Sequence, residues 1–394
     1  MSFEFATRNK TQGEYKLKLK ELLERIGIDR SVLCDFIIQE VDTEKIEKSA
    51  QINNNKSYAK IVYDDTSPIK LSNGKKIGKL VIKDPHIGKL TVSFEKNNLN
   101  GQNHINSSLE LMVSGGSNNL QNLDTMEYQA RIIDVFQILA ERYGVIADYS
   151  TIRIKKLELN ATFYLNEPYE KYKQPILLLM RNVPPKRYGN NKNNNAVKYA
   201  TWHQANMGAG EDNLETALVK NSSIELKIYN KGKHLKDLGE IDEIERDIMR
   251  VEYTIKDRRI LESAFGDNLV VSLTDEKINS LFKKYFNRDI VTRYYQWAAD
   301  NHRKLVDLTR KHREQEQKWT SGFFRECRQY EAVNGLPILF DVDDMLKVFR
   351  ELESKKGRNA KRKFDKFKQQ AIYENDLVGN TTRVREIISK IMDM

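Results

Sequence analysis

Successive side chains of a β-strand point to opposite faces, so strict alternation of apolar and polar residues assigns faces before any fold is known. Four stretches of this chain alternate in that way. In "IELKIYNKGKHL", 224–235, Ile224, Leu226 and Ile228 share one face, and Glu225, Lys227, Tyr229 and Lys231 share the other. "LTVSFEK" sets Leu90, Val92 and Phe94 against Thr91, Ser93 and Glu95. "KLELNATF" sets Leu157, Leu159 and Ala161 against Glu158, Asn160 and Thr162. "MRVEYTIK" sets Met249, Val251, Tyr253 and Ile255 against Arg250, Glu252, Thr254 and Lys256. Every one of these stretches carries a glutamate on its polar face.

Two readings follow. An antiparallel sheet with one face in water alternates by default, and the glutamates are then solvated. If the four strands are neighbours in one sheet, three or four carboxylates converge beside Tyr229. Oxygen ligands of that kind suit Mg²⁺ or Mn²⁺. A tyrosine oxygen must be at least partly deprotonated to attack phosphorus, and a divalent cation stabilises the charge that develops. Lys231, placed by alternation on the same face, is expected to lower the tyrosine pKa or to neutralise the phosphate. Tyr199, Tyr294 and Tyr295 compete for the nucleophile role; Tyr253 falls on an apolar face and belongs to the core. Tyr229 alone combines polar placement with an adjacent lysine.

Elsewhere the pattern is mixed. Residues 14–27, "EYKLKLKELLERIG", space Leu19, Leu22, Leu23 and Ile26 as one helix face with Gly27 as its stop. Short strands follow, with Asn73-Gly74 as a hairpin turn. A helix is expected over 125–143, ended by Gly144. The asparagine-rich stretch 187–199 reads as a polar surface loop. From about residue 273 helical spacing dominates, broken once at Gly335 and Pro337. The expected fold is α+β: a lead-in over 1–50, an antiparallel-sheet domain with helices on one face over 51–270, and an all-helical basic module over 271–394.

A chain of 394 residues with net charge +10 is large enough for substantial cores and favours a polyanionic partner. "KKGRNAKRKFDKFK", 355–368, holds eight basic residues against one acid. Lys355, Lys356, Arg358, Lys361, Arg362 and Lys363 are its candidates for DNA contact, joined on the sheet by Lys227 and Arg250. A solvated helix face is the other reading of that run. The two cysteines lie far apart and give neither a disulfide framework nor a zinc spacing. The sequence has no membrane-length apolar run and no secretory pattern at its start, so a reducing, cytoplasmic compartment is expected and no membrane partner.

The order "SFEKNNLNGQN", "IRIKKLELNATF", "KYATWH", "IELKIYNKGKHL" and "MRVEYTIKDRRILESAFG" resembles the replication initiators of filamentous phages, the gene-two protein group. It is also similar to rolling-circle plasmid initiators that carry Tyr-x-Lys followed by Arg-x-Glu. The resemblance covers roughly residues 80–270. It implies a nicking tyrosine at Tyr229 followed by Lys231, acidic metal ligands at Glu95, Glu158 and Glu252, and a bacterial host cytoplasm. The family's Gly-His-Asn reads Gly101-Gln102-Asn103 here, and no His-x-His pair occurs among the six histidines. The implied activity is metal-dependent cleavage of one origin strand, leaving a 5′-phosphotyrosine adduct and a 3′-hydroxyl primer. A relaxase for plasmid mobilisation makes the same cut, and a non-catalytic origin-binding initiator makes none. Expected partners are origin DNA and, for the helical module, either duplex DNA or a host helicase; a dimer is the oligomer considered.

Overall fold

The computed structural model describes residues 24–51, 58–63, 77–84, 86–95, 104–112, 123–148, 150, 152–183, 199–200, 216–220, 222–237, 246–315, 319–353, 358–371 and 377–394. The strands are β1 (Arg25–Cys34), β2 (Ile37–Val41), β3 (Tyr58–Tyr63), β4 (Ile77–Asp84), β5 (Gly88–Glu95), β6 (His104–Met112), β7 (Val145–Asp148), β8 (Arg153–Tyr164), β9 (Tyr199–Ala200), β10 (Thr216–Lys220), β11 (Ile224–Asn230) and β12 (Ile248–Ile255). Ten of them form one sheet in the order β3-β4-β5-β6-β1-β8-β12-β11-β10-β9, antiparallel at every pairing. β2 and β7 pair separately.

Two helices show how the apolar face is covered. Helix α2, after α1 (Thr43–Gln51), spans Thr125–Tyr143 as its spacing predicts. The Asp124 carboxylate accepts from the Glu127 N–H, and the Glu127 side chain reaches back to the Asp124 N–H. Gly144 ends the helix with φ 63°, and a Cβ there would lie 2.5 Å from the Asp42 Cβ, so only glycine suits the position. The buried face of α2 carries Tyr128, Ile132, Val135, Phe136, Leu139 and Tyr143, and the Tyr128 hydroxyl donates to Ser31 Oγ of β1 at 2.7 Å. After α3 (Lys173–Arg181), α4 (Lys231–Asp237) and α5 (Arg258–Phe265), helix α6 (Asp275–Phe286) sets the Phe282 ring edge-on against Tyr253 of β12 at 5.3 Å. The apolar residues chosen by alternation are therefore core: Leu157, Leu159, Ala161, Leu226, Ile228, Val251 and Tyr253 are all buried.

The chain continues through a π turn (Asn287–Val291) into α7 (Thr292–Gln315), then α8 (Trp319–Asn334), α9 (Asp344–Leu352), α10 (Arg358–Ala371) and α11 (Asn380–Asp393). Leu305, Phe323, Met345, Phe349, Phe364 and Phe367 build a second apolar core there. The switch from strand to helix near residue 271 is not where the cores divide. Phe282 and Phe286 of α6 and Val384, Ile387 and Ile391 of α11 belong to the sheet's core.

One expectation fails. The periodicity over 14–27 suggested a helix ending at Gly27, yet Arg25–Cys34 is a central strand with Gly27 opposite Asn160; residues 14–23 lie outside those described. Ile26, Ile28 and Leu33 have the burial that a central strand demands, and pairing with both β6 and β8 overrides the local helical spacing. The Asn73-Gly74 turn, the Gly101-Gln102-Asn103 segment and the asparagine-rich stretch up to residue 198 also lie outside the described residues.

Candidate functional site

The sheet order brings β1, β8, β12 and β11 side by side, and their registers align the polar positions. Arg250 pairs with Thr162 on one side and Tyr229 on the other; Glu252 lies between Asn160 and Lys227; Thr254 lies between Glu158 and Glu225. This face is polar but not wet. Glu158, Asn160, Thr162, Arg250, Glu252 and Thr254 are all buried.

Three carboxylates meet on it. Oxygens of Asp29, Glu158 and Glu252 all lie within 4.8 Å of one another. Like charges at that separation inside a protein repel strongly, and burial penalises each anion further. Burial first, then Glu252 and Asp29, push the Glu158 carboxyl up from 4.5 to about 7. Cations answer the charge from two sides. Arg250, fully buried, donates to Asp29 Oδ2 at 3.2 Å and to Thr162 Oγ1 at 2.8 Å. Lys227 reaches Glu252 Oε1 at 2.6 Å and Glu225 Oε1 at 3.4 Å. Burial works against the Lys227 ammonium, but Glu252 and the other carboxylates hold its pKa above the ordinary lysine value.

Tyr229 stands at the rim. Its hydroxyl donates a long 3.4 Å hydrogen bond to Glu252 Oε2, and its ring meets His234 of α4 edge-on at 6.2 Å. Burial pushes the Tyr229 pKa well up; Arg250 opposes this, while Glu252 and Asp29 add to it. The Arg250 guanidinium also interacts directly with the Tyr229 side chain. Ionisation of this hydroxyl is disfavoured in the surroundings that the side chains alone provide. A divalent cation fits the donor set: three buried hard oxygens with excess negative charge. Asn160 Nδ2 is buried on the same face, and no described residue accepts a hydrogen bond from it.

The candidates chosen from sequence fare unequally. Glu158, Glu252, Lys227 and Tyr229 come together because the strands whose polar faces carry them are neighbours. Lys231 does not continue their face: Asn230 Oδ1 accepts from the Lys233 N–H at 2.9 Å, ending the strand and starting α4, so Lys231 is the first residue of a helix and is fully buried. Arg250 is no contact for DNA, because it has no exposed surface and is held within the sheet by Asp29 and Thr162. The side chain of Glu95 lies outside the described residues. Its main chain is on β5, three strands from β8, and six residues beyond Lys89, which is level with Val32 and Lys156. Glu158 lies two residues to the other side of that level, so strand spacing and rise put Glu95 roughly 30 Å from it.

Asp29 takes the third acidic place. It is the extra residue of a bulge: Ile28 pairs with Leu159 and Arg30 with Glu158, leaving Asp29 unpaired between them. A sequence signal exists. Ile26 and Ile28 are even-numbered core positions and Ser31 and Leu33 odd-numbered ones, and the switch of parity straddles Asp29.

On the basic helix, Lys355 and Lys356 lie outside the described residues, as does the side chain of Arg358, the first residue of α10. Lys361 and Arg362 are exposed, opposite the buried Ala360, Phe364 and Phe367. Lys363 is half-buried and ion-paired with Glu353, which Arg313 also contacts at 2.7 Å. Among the described residues no helix is long and apolar enough to cross a membrane. No protein-family model matches the chain, and no curated protein matches it.

Proposed function

We propose that this chain is a metal-dependent DNA-nicking enzyme that initiates rolling-circle replication, with Tyr229 as its nucleophile. The observation that carries the reading is a tyrosine hydroxyl bonded to one member of a buried three-carboxylate cluster. Asp29, Glu158 and Glu252 would hold Mg²⁺ or Mn²⁺, which when bound polarises the phosphoryl oxygen and offsets developing negative charge. Glu252 accepts the phenolic proton as the Tyr229 oxygen forms its bond to phosphorus. The P–O3′ bond breaks, the 3′ oxygen takes a proton from solvent, and the 5′-phosphate stays on tyrosine. Arg250, the cross-strand partner of Tyr229 held by Asp29 and Thr162, stabilises the phenolate and replaces Lys231 in that role.

A second reading has a specific observation behind it. Lys227–Glu252 at 2.6 Å and Arg250–Asp29 at 3.2 Å neutralise much of the cluster without a metal, as a structural ion-pair network would. A non-catalytic origin-binding initiator fits that arrangement.

The test is incubation with supercoiled DNA of the protein's own replicon, with Mn²⁺ or with chelator. Nicked circles carrying bound protein are expected with Mn²⁺ only, and Tyr229→Phe is expected to reduce them by about 10³-fold or more. Adducts that persist in Tyr229→Phe would move the nucleophile to another tyrosine. Tight binding without nicking would select the non-catalytic reading.

A further inference from the structure

The site just described leaves unexplained a cleft of about 380 Å³ where the end of α3 meets the first half of α7 and the end of α8. None of its lining residues belongs to the acidic face. Its volume lies in the range of small-molecule sites, but its lining is unusual for a gap between packed helices. Two aromatic rings, Trp297 and Tyr330, share it with two cations, Arg293 and Lys304, and with the side-chain amides of Asn182, Gln296 and Asn334.

The polar groups are not all used. Arg293 donates one Nη1 bond to Gln296 Oε1 at 3.3 Å, yet its Nε is buried with no acceptor among the described residues. The same holds for Asn182 Nδ2. Two buried donors without acceptors, both lining one cleft, carry a cost that a bound acceptor would remove. The single acid on the wall, Asp300, is already engaged by Arg303 at 2.5 Å, so it leaves the Arg293 and Lys304 charges largely uncancelled. Lys304 Nζ lies over the Tyr330 ring at 5.4 Å and donates to its hydroxyl at 2.8 Å, which holds both at the rim. Trp297 is braced from behind by Phe340, edge-on at 5.6 Å, and by Tyr294, stacked at 6.1 Å.

We propose that this cleft binds a nucleoside phosphate, with the base against Trp297 and the phosphate held by Arg293 and Lys304. A rigid aromatic platform beside cations is the arrangement that captures nucleotides without demanding a particular base. The amides of Asn182 and Gln296 supply donors and an acceptor for the base edge. An acidic peptide would use the cations but not the braced indole. The nucleotide is either free or one residue of a single strand, and the chemistry of recognition is the same for both.

The experiment is calorimetric titration of the full-length protein in chelator, which leaves the acidic cluster without metal and makes the result independent of nicking. The probes are thymidine 5′-monophosphate, a short oligodeoxythymidylate and inorganic phosphate. Binding is expected for the nucleotide, the oligonucleotide or both, and Trp297→Leu and Arg293→Gln should weaken it about tenfold or more. Because both residues are partly buried, Lys304→Gln at the exposed rim provides a variant that keeps the fold, with a loss of several-fold. Loss for both probes means a site open to free nucleotides; loss for the oligonucleotide alone means a site for single-stranded DNA. Inorganic phosphate binding as tightly as the nucleotide would reduce the cleft to an anion site and overturn the proposal. So would binding that none of the three substitutions alters.

Discussion

Lys227 and Arg250 on the sheet, and Lys361 and Arg362 on α10, are the same kinds of charge in opposite circumstances. The sheet cations are paired with Glu252 and Asp29, Arg250 fully buried and Lys227 half-buried, while the helix cations project from a surface anchored by Phe364 and Phe367. Net charge alone does not separate them. Location decides the energetics: a buried cation is bound to its partner's fate, whereas an exposed one is coupled to solvent and salt.

Arg250→Met should break the contrast most severely. It leaves Asp29 buried beside two other carboxylates with its guanidinium partner gone, and a loss of about 3–5 kcal/mol is expected in urea unfolding. An unchanged midpoint would mean the sheet network is not coupled as described. Glu158→Gln should act next, through pH. The folded state holds the Glu158 proton more tightly than the unfolded chain, about 7 against 4.5. Its contribution to stability is therefore complete below pH 4.5 and is lost as pH rises through about 7. In chelator the natural protein should lose up to about 3 kcal/mol relative to Glu158→Gln between those limits, and Mn²⁺ should restore much of it. Parallel pH profiles would refute the coupling of the three carboxylates. The smallest effect belongs to the helix. Lys361→Gln with Arg362→Gln should change stability by no more than about 0.5 kcal/mol, while lowering the salt dependence of DNA affinity by about two counterions. Affinity and salt slope that do not move would make α10 a solvated face rather than a nucleic-acid surface.

What was legible in the sequence follows from what alternation encodes. It assigned Glu158, Lys227, Tyr229 and Glu252 each to the polar face of its own strand, and helix 125–143 was legible because its apolar spacing and its Gly144 stop are local signals. Alternation does not say which strands are neighbours, so Glu95, on the same kind of strand, was grouped with residues three to five strands away. Nor does it say whether a polar face is covered, which is why Arg250 read as a surface cation. Lys231 was lost to a cap: one asparagine side chain turned strand into helix. Asp29 was hidden because it is where the pattern breaks, on a strand whose first residues also satisfy helical spacing.

The bulge at Asp29 bears on how such a site can come and go. Ile28 and Arg30 oppose Leu159 and Glu158, which are consecutive on β8. Loss of the single codon for Asp29 would let Ile28 and Arg30 become consecutive too, closing the ladder with Ile26, Ile28, Ser31 and Leu33 still on the core side. The third carboxylate is thus an insertion into a strand whose ladder closes without it, but its loss would leave the fully buried Arg250 without that partner, so the bulge and the arginine are expected to come and go together.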